Sequence, residues 1–291
     1  MKRICAVWLT LTLLALFACP FAGAEKADWD RVTEALLADE EHPVPPEWRI
    51  WANPANLSRR EGLDPRVMNI LLLSTDAADI ADNWGRTDLM ILCSIHLEEG
   101  RILLVSLPET AYVRVDGLPE SIRAKFVSCF GGPLLAVKTV NEWLGLNAVR
   151  FCAVNEGAFV KLVDTVGGVP MELTDGEAEA LGLEAGETLL SGEQALRYVR
   201  LRRAGNTWER PRKLLQALLS RVGESGADAA FSMAEALLPA MDTNLTTGDL
   251  INLIFSLLIR ETPATIETAS LSEKEAEQGE AWCRRVLYGG D

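Results

Sequence analysis

The sequence predicts an α/β fold in three layers, and three observations carry that prediction. Val67-Met-Asn-Ile-Leu-Leu-Leu-Ser74 is a continuous apolar run of strand length, the pattern of a strand covered on both faces. Leu89 to Ile95 and Arg101 to Leu107 are two more such runs, split by Glu98-Glu99-Gly100, which reads as a hairpin. Beyond them, strand-like runs alternate with stretches of helical periodicity, the order expected of helices packed on both faces of a sheet.

Taken in order, Ala27 to Glu41 is a short helix with Val32, Leu36 and Leu37 on one face. His42-Pro-Val-Pro-Pro-Glu-Trp48 is a proline-stiffened connection. After the first three strands, Pro133 opens a helix that runs through Leu144 and Gly145 closes it, proline inside the start and glycine past the end. Val149 to Val154 is a strand, Gly157 to Val166 a helix ended by Gly167-Gly168, and Val169 to Leu173 a short strand. Ser191-Gly-Glu-Gln194 is a capping box, and it starts the helix carrying Arg197 and Arg200. Further helices are expected from Arg212 to about Arg221, Ala229 to Leu238 and Thr246 to Arg260, with Thr265 to Ala269 as an edge strand.

The ends and the composition narrow the setting. Lys2 and Arg3 precede an almost wholly apolar run, Ile4 to Phe21, followed by Ala22-Gly23-Ala24. This is a secretory signal pattern. The run is also nearly long enough to stay as a membrane anchor, and Leu16-Phe-Ala-Cys19 loosely resembles a lipoprotein cleavage box; export is common to all three. Residues 1–24 are therefore a signal peptide or anchor, 25–64 an N-terminal helix and proline-rich linker, and 65–291 the globular domain. The 291 residues carry 28 Lys+Arg against 42 Asp+Glu, a net charge of −14, which argues against nucleic-acid binding. His42 and His96 are the only histidines, and the cysteines form no C-x-x-C pair, so a zinc site is not expected. No G-x-S-x-G and no P-loop is present, which removes serine hydrolases and P-loop NTPases.

Against that acidic background, Leu196 to Lys213 holds Arg197, Arg200, Arg202, Arg203, Arg210, Arg212 and Lys213 with one acid, Glu209. Such a knot concentrates positive potential, and its arginines suit forked contact with phosphate oxygens. A solvated helix face is the other reading of the same spacing. Asp76 falls just past one buried strand and Asp88 just before the next. Two carboxylates at one sheet edge can hold a hard cation such as Mg²⁺, or each can cap a loop.

The ordered series is Ser74-Thr-Asp76, Arg86-Thr-Asp88, Val105-Ser-Leu-Pro108, Tyr112-Val113, Gly131-Gly-Pro133, Thr139 to Gly145, Phe159 to Asp164, Gly167-Gly-Val169 and Leu190 to Arg202. It closely resembles the LytR-CpsA-Psr family of bacterial cell-envelope proteins, over roughly Val67 to Val222 with a typical tail around Thr243 to Leu258. The resemblance implies a three-layer α-β-α domain with a central mixed β-sheet and an apolar pocket for a lipid tail. It implies a phosphotransferase on the extracytoplasmic face of the cell membrane or in the cell wall of a bacterium. Such an enzyme takes an anionic glycopolymer from a polyprenyl-pyrophosphate-linked donor and joins it to a peptidoglycan hydroxyl at the membrane surface. By the same resemblance Asp76 and Asp88 bind Mg²⁺ or Mn²⁺, Arg86 and Asp88 are catalytic, and Arg86, Arg200, Arg202 and Arg212 hold phosphate. Leu134, Val137, Val140, Phe159, Leu162 and Leu218 are candidates for the lipid pocket, or plain core.

The chain also departs from the family pattern. Glu109 and Thr110 stand where the family has an arginine and an aspartate after the proline. Asn206, Glu209, Arg212 and Lys213 stand for an aspartate, an arginine and an arginine-glutamine pair, so that only Arg212 is retained unless a one-residue shift lets Arg210 replace Glu209. Ser74 replaces a glycine, and Ala77-Ala78 follows Asp76 where an arginine is expected. A second expectation is thus a catalytically degenerate module of this fold that binds a polyprenyl phosphate or an envelope glycan.

Overall fold

The computed structural model describes residues 44, 48–76, 85–201, 209–224, 241–257 and 264–289. The chain divides into two compact units, Met1–Trp48 and Arg49–Asp291. The expected leader, the helix over 27–41 and the helix over 229–238 lie outside the described residues.

The second unit is built on a mixed sheet of 6 strands in the order β10-β3-β2-β1-β6-β9. Its central strands are β1 (Val67–Thr75), β2 (Thr87–His96), β3 (Arg101–Leu107) and β6 (Arg150–Val154); β9 (Asp242–Thr243) and β10 (Thr265–Ser270) form the edges. Strand β2 is antiparallel to β1 and β3, whereas β6 runs parallel to β1 and β10 parallel to β3. Strands β1, β3, β6 and β10 therefore all end at one edge of the sheet. Ligands of open α/β sheets collect at such a carboxyl edge.

Helices cover both faces. Ile70, Ile91, Cys93, Ile95, Ile102 and Leu104 form the core on one face, beneath Leu215 and Leu219 of helix α5 (Glu209–Glu224) and Leu253 and Leu257 of α6 (Thr247–Leu257). The alternate residues face α1 (Val127–Leu144) and the C-terminal helix α7 (Gly279–Tyr288). Asn69 of β1 marks that side, donating to Asn147 at 3.0 Å and to the Tyr288 hydroxyl at 2.8 Å. A second core lies beside the sheet. There the hairpin β7 (Val169–Leu173) and β8 (Gly186–Leu190) packs with α2 (Glu156–Thr165), α3 (Asp175–Leu181), α4 (Gly192–Arg200) and α5 around Val163, Tyr198, Leu214 and Leu218. The α/β class, the hairpin and the capping box at Ser191 follow the sequence expectation. The short pairing of β4 (Tyr112–Val113) with β5 (Ile122–Arg123), the helix α3 and the C-terminal helices had no clear periodic signal.

The expected helix from Pro133 has an extra turn before it. Helix α1 starts at Val127, breaks at Gly131 and Gly132, and resumes with Pro133. Gly132 takes φ 64°, and a Cβ on Gly131 would lie 2.4 Å from the carbonyl oxygen of Ile50, so neither position accommodates a side chain. The strap around Ile50 to Arg60, read from the sequence as linker, belongs to this packing. Ile50 donates to the Phe130 carbonyl at 2.6 Å, and the buried Asn141 amide donates to the Leu57 carbonyl at 2.7 Å.

Candidate phosphate site at the carboxyl edge of the sheet

Asp76 is the first residue past β1, and it is locked to Arg86 just ahead of β2. The Asp76 N–H donates to the Arg86 carbonyl at 3.1 Å, and the Arg86 N–H returns a bond to Asp76 Oδ1 at 2.7 Å. The Arg86 guanidinium grips Oδ2 through Nε at 2.6 Å and Nη2 at 2.5 Å. This forked contact fixes both side chains at the sheet edge.

Asp88 owes its position to a β-bulge. Ser74 pairs with Leu89 and Thr75 with Thr87, so Asp88 has no partner on β1. Along β2 the odd residues Ile91, Cys93 and Ile95 face α5 and α6. Unbroken alternation would place Thr87 on that side and turn Asp88 under α1. Instead the extra residue resets the alternation. Thr87 is buried and its hydroxyl lies 2.9 Å from that of Ser128 on α1, while Asp88 is exposed at the edge. The sequence pattern puts Asp88 ahead of the strand, whereas β2 includes it.

The neighbouring strand end adds further charge. Glu109 follows β3, Thr110 donates its hydroxyl hydrogen bond to Glu273, and Lys125 donates its backbone N–H to the Glu109 carbonyl at 2.9 Å. Burial pushes the Asp76 carboxyl above its ordinary range, with Asp88 adding to the effect, and hydrogen bonds from Arg86 opposing it. Burial likewise raises the Glu109 carboxyl, with Asp88 and Glu273 adding and Lys125 opposing. The edge is thus an electronegative cluster incompletely offset by its cations, which favours a cation or a protonated carboxyl.

The profile of the LytR_cpsA_psr family matches residues 52–286. The chain belongs to the LytR-CpsA-Psr family. It is 30% identical over 194 residues to a polyisoprenyl-teichoic acid–peptidoglycan teichoic acid transferase TagU of Oceanobacillus iheyensis, a match covering 62% of this chain and 58% of that one. It is 26% identical over 254 residues to the TagU of Enterococcus faecalis, covering 84% of this chain and 79% of that one. The chain thus spans between about three fifths and four fifths of the length of these relatives. Among solved structures it superposes on TagT bound to LIIa-WTA with TM-score 0.65 at 21% identity, covering 82% of this chain and 100% of that one. The family protein YwtF (TagT) with bound octaprenyl pyrophosphate lipid gives TM-score 0.60 at 22% identity, covering 79% and 95%. These likenesses establish the mixed-sheet LytR-CpsA-Psr fold.

The family's remaining arginine positions are distributed unevenly. Arg200 closes α4 as its last helical residue, so the backbone is helical, not extended, between Tyr198 and Arg200. Its guanidinium pairs with Glu156. Glu156 lies two residues past the Ser74–Val154 register pair of β1 and β6, so Arg200 reaches the same sheet edge as Asp76. Arg202, and Asn206 with it, lie outside the described residues. Arg212 is partly exposed on α5, and no described contact brings it to Asp76. Arg210 is turned inward, its Nε 2.7 Å from Glu177 and its Nη1 2.5 Å from the Leu201 carbonyl. It therefore serves the fold rather than an external anion. Glu209 is neutralised locally by Lys213 at 2.7 Å.

The six apolar candidates for a lipid pocket do not share a surface. Val137 and Val140 are fully buried and Leu134 is partly exposed, while Leu218 belongs to the core around Tyr198 and Phe159 and Leu162 pack against it, partly buried. Partly exposed apolar side chains also occur on the other core, where Met68, Leu72, Leu89, Leu253 and Leu257 border it and Phe255 is 60% exposed. Periodicity marked all of these as apolar, but it carries no information on which core they join. Cys93, Cys129, Cys152 and Cys283 are free thiols, each raised to about 12 by burial. Among the described residues no helix is long and apolar enough to cross a membrane.

Proposed function

We propose that this protein is an exported phosphotransferase of the cell envelope. It takes a glycopolymer from a polyprenyl-pyrophosphate carrier and attaches it to peptidoglycan. The observation that carries this reading is the Asp76–Arg86–Asp88 constellation at the carboxyl edge, with Arg200 delivered to the same edge by Glu156. The names of the TagU relatives point the same way. In the reaction the acceptor hydroxyl oxygen bonds to the glycan-linked phosphorus. The P–O bond to the second phosphate breaks, polyprenyl monophosphate leaves with that electron pair, and the hydroxyl proton passes to a base. Such a transfer needs charge neutralisation and alignment more than covalent help. Arg86 and Arg200 would hold phosphate oxygens, with Arg202 and Arg212 as further phosphate ligands on the family resemblance alone, and the partly exposed apolar border would take the prenyl chain.

The acids fit a divalent ion. Asp88 accepts no hydrogen bond among the described residues, and Asp76 Oδ1 accepts only the Arg86 N–H there, so both keep lone pairs. Mg²⁺ binds through one or two carboxylates together with substrate phosphates. Asp76 and Asp88 would hold Mg²⁺ or Mn²⁺, which would neutralise charge developing on the transferred phosphoryl group. Asp76 gives this a measurable sign. Its raised carboxyl contributes stability at low pH that is lost as pH rises through the folded-state value. Protons and metal compete for it, so the gain in melting temperature from Mg²⁺ should grow between pH 4 and pH 7. Asp76→Asn should abolish that gain and its pH dependence; an equal gain at both pH values in the native chain would place the ion elsewhere.

Glu109 favours the second reading, a binding module without transfer, because a carboxylate beside Asp88 repels a pyrophosphate. One assay separates the two. The full-length protein is supplied with a polyprenyl-pyrophosphate glycan donor and peptidoglycan, with and without EDTA. Metal-dependent formation of phosphodiester-linked glycan supports the transferase. Donor binding without product supports the module, and no donor binding overturns both.

A further inference from the structure

The described cations at the carboxyl edge are not equally available to a ligand. Arg86 is forked onto Asp76, and Arg200 is paired with Glu156. Lys125 is different. Among the described residues no carboxylate lies within ion-pairing distance of its Nζ, which rests 4.9 Å from the centre of the Phe126 ring. Its backbone is well fixed. It sits in the 3₁₀ turn Ala124–Phe126, which is tied to the segment leaving β3 by the Lys125–Glu109 bond and by the Ala124 N–H on the Ala111 carbonyl at 2.8 Å. The same backbone bond places Lys125 beside the end of β3, at the sheet edge that also holds Asp76.

We infer that Lys125 is a phosphate ligand of this site and supplies the positive charge lost where Glu109 replaces the family's arginine. The inference rests on the proposed donor. A pyrophosphate brought beside Asp76, Asp88 and Glu109 meets like charge on several sides, and an unpaired ammonium on a flexible stem can swing to a phosphate oxygen. The cation has moved from the end of β3 to the turn hydrogen-bonded to it. Because an ammonium is a point charge without a fork, the contact should tolerate arginine and fail with an uncharged isostere.

The test is the affinity of the full-length protein for a short-chain polyprenyl pyrophosphate in detergent, alongside polyprenyl monophosphate and the melting temperature of each variant. Lys125→Met is expected to weaken pyrophosphate binding about 10- to 100-fold, the worth of one charge-assisted hydrogen bond, and monophosphate binding less. Lys125→Arg should stay within a few fold of the native chain. The double variant Glu109→Arg/Lys125→Met should recover most of the loss, because it returns the charge to the neighbouring strand end. Unchanged binding in Lys125→Met overturns the inference, as does a loss that neither arginine rescues. Failure of the native chain to bind at all instead overturns the proposed donor.

Discussion

Asp88→Ala is expected to lower the rate of the proposed glycan transfer by about a hundredfold or more, the scale expected when one preorganised charge partner of a phosphoryl group is lost. The same substitution leaves folding nearly untouched, within about 0.5 kcal/mol. The split follows from the bulge. Asp88 is exposed, accepts no hydrogen bond among the described residues, and has no partner across β1. A residue so placed contributes little to the ladder, and its carboxylate is held outward at the sheet edge. Steady-state transfer rates and urea unfolding on the same preparation check both halves. A variant that unfolds early yet transfers glycan at the native rate would reduce Asp88 to a structural residue. In Arg86→Ala the two effects cannot separate, because Arg86 is also the partner that compensates Asp76.

Arg210→Ala has the reverse profile, with a loss of about 3 kcal/mol in folding stability and phosphate binding altered only as far as the fold is. Arg210 and Glu177 side chains are each only 12% exposed. Removing the arginine strands a largely buried carboxylate, leaves the Leu201 carbonyl without its donor and takes the guanidinium from its place 5.8 Å over the Tyr198 ring. Burial alone would raise the Glu177 carboxyl, but Arg210 and Thr174 outweigh it and hold the group below its ordinary range. A lowered acid pKa gives stability that is complete above the unfolded value and lost as pH falls through the folded one. The native chain should therefore lose this contribution below about pH 4.5, the ordinary glutamate value, and the Arg210→Ala chain should lack that part of its acid sensitivity. Chemical denaturation at pH 7 and pH 3.5 measures both. If Arg210→Ala is as stable as the native chain yet fails to bind pyrophosphate, Arg210 belongs to the phosphate site.

These two residues show how far the linear pattern reaches. Both stood out in the sequence as charges near a family motif, and nothing in their spacing told a solvent-facing carboxylate from a buried arginine. The same holds for Lys125, one basic residue in a loop until the turn that carries it is laid against Glu109. Glu156 and Glu273 were equally silent, because each acquires its partner, Arg200 or Thr110, only across elements distant in the chain.

What the sequence determined by itself was what short-range physics controls. Apolar runs of strand length gave β1 to β3, Ser191 and Gln194 gave the capping box, glycine after Leu144 gave the end of α1, and the ordered motifs gave the family. What the tertiary structure decided was which charges meet. The one-residue bulge opposite Ser74 and Thr75 points Asp88 outward, and the parallel register of β1 and β6 brings Glu156 and Arg200 to the edge that holds Asp76. The contact of Arg210 with Glu177 turns inward the arginine that a one-residue shift would have put in the place of Glu209. Strand pairing and helix rotation are set by burial of the whole apolar surface, a sum over residues far apart in the chain, so no local window of sequence contains the answer.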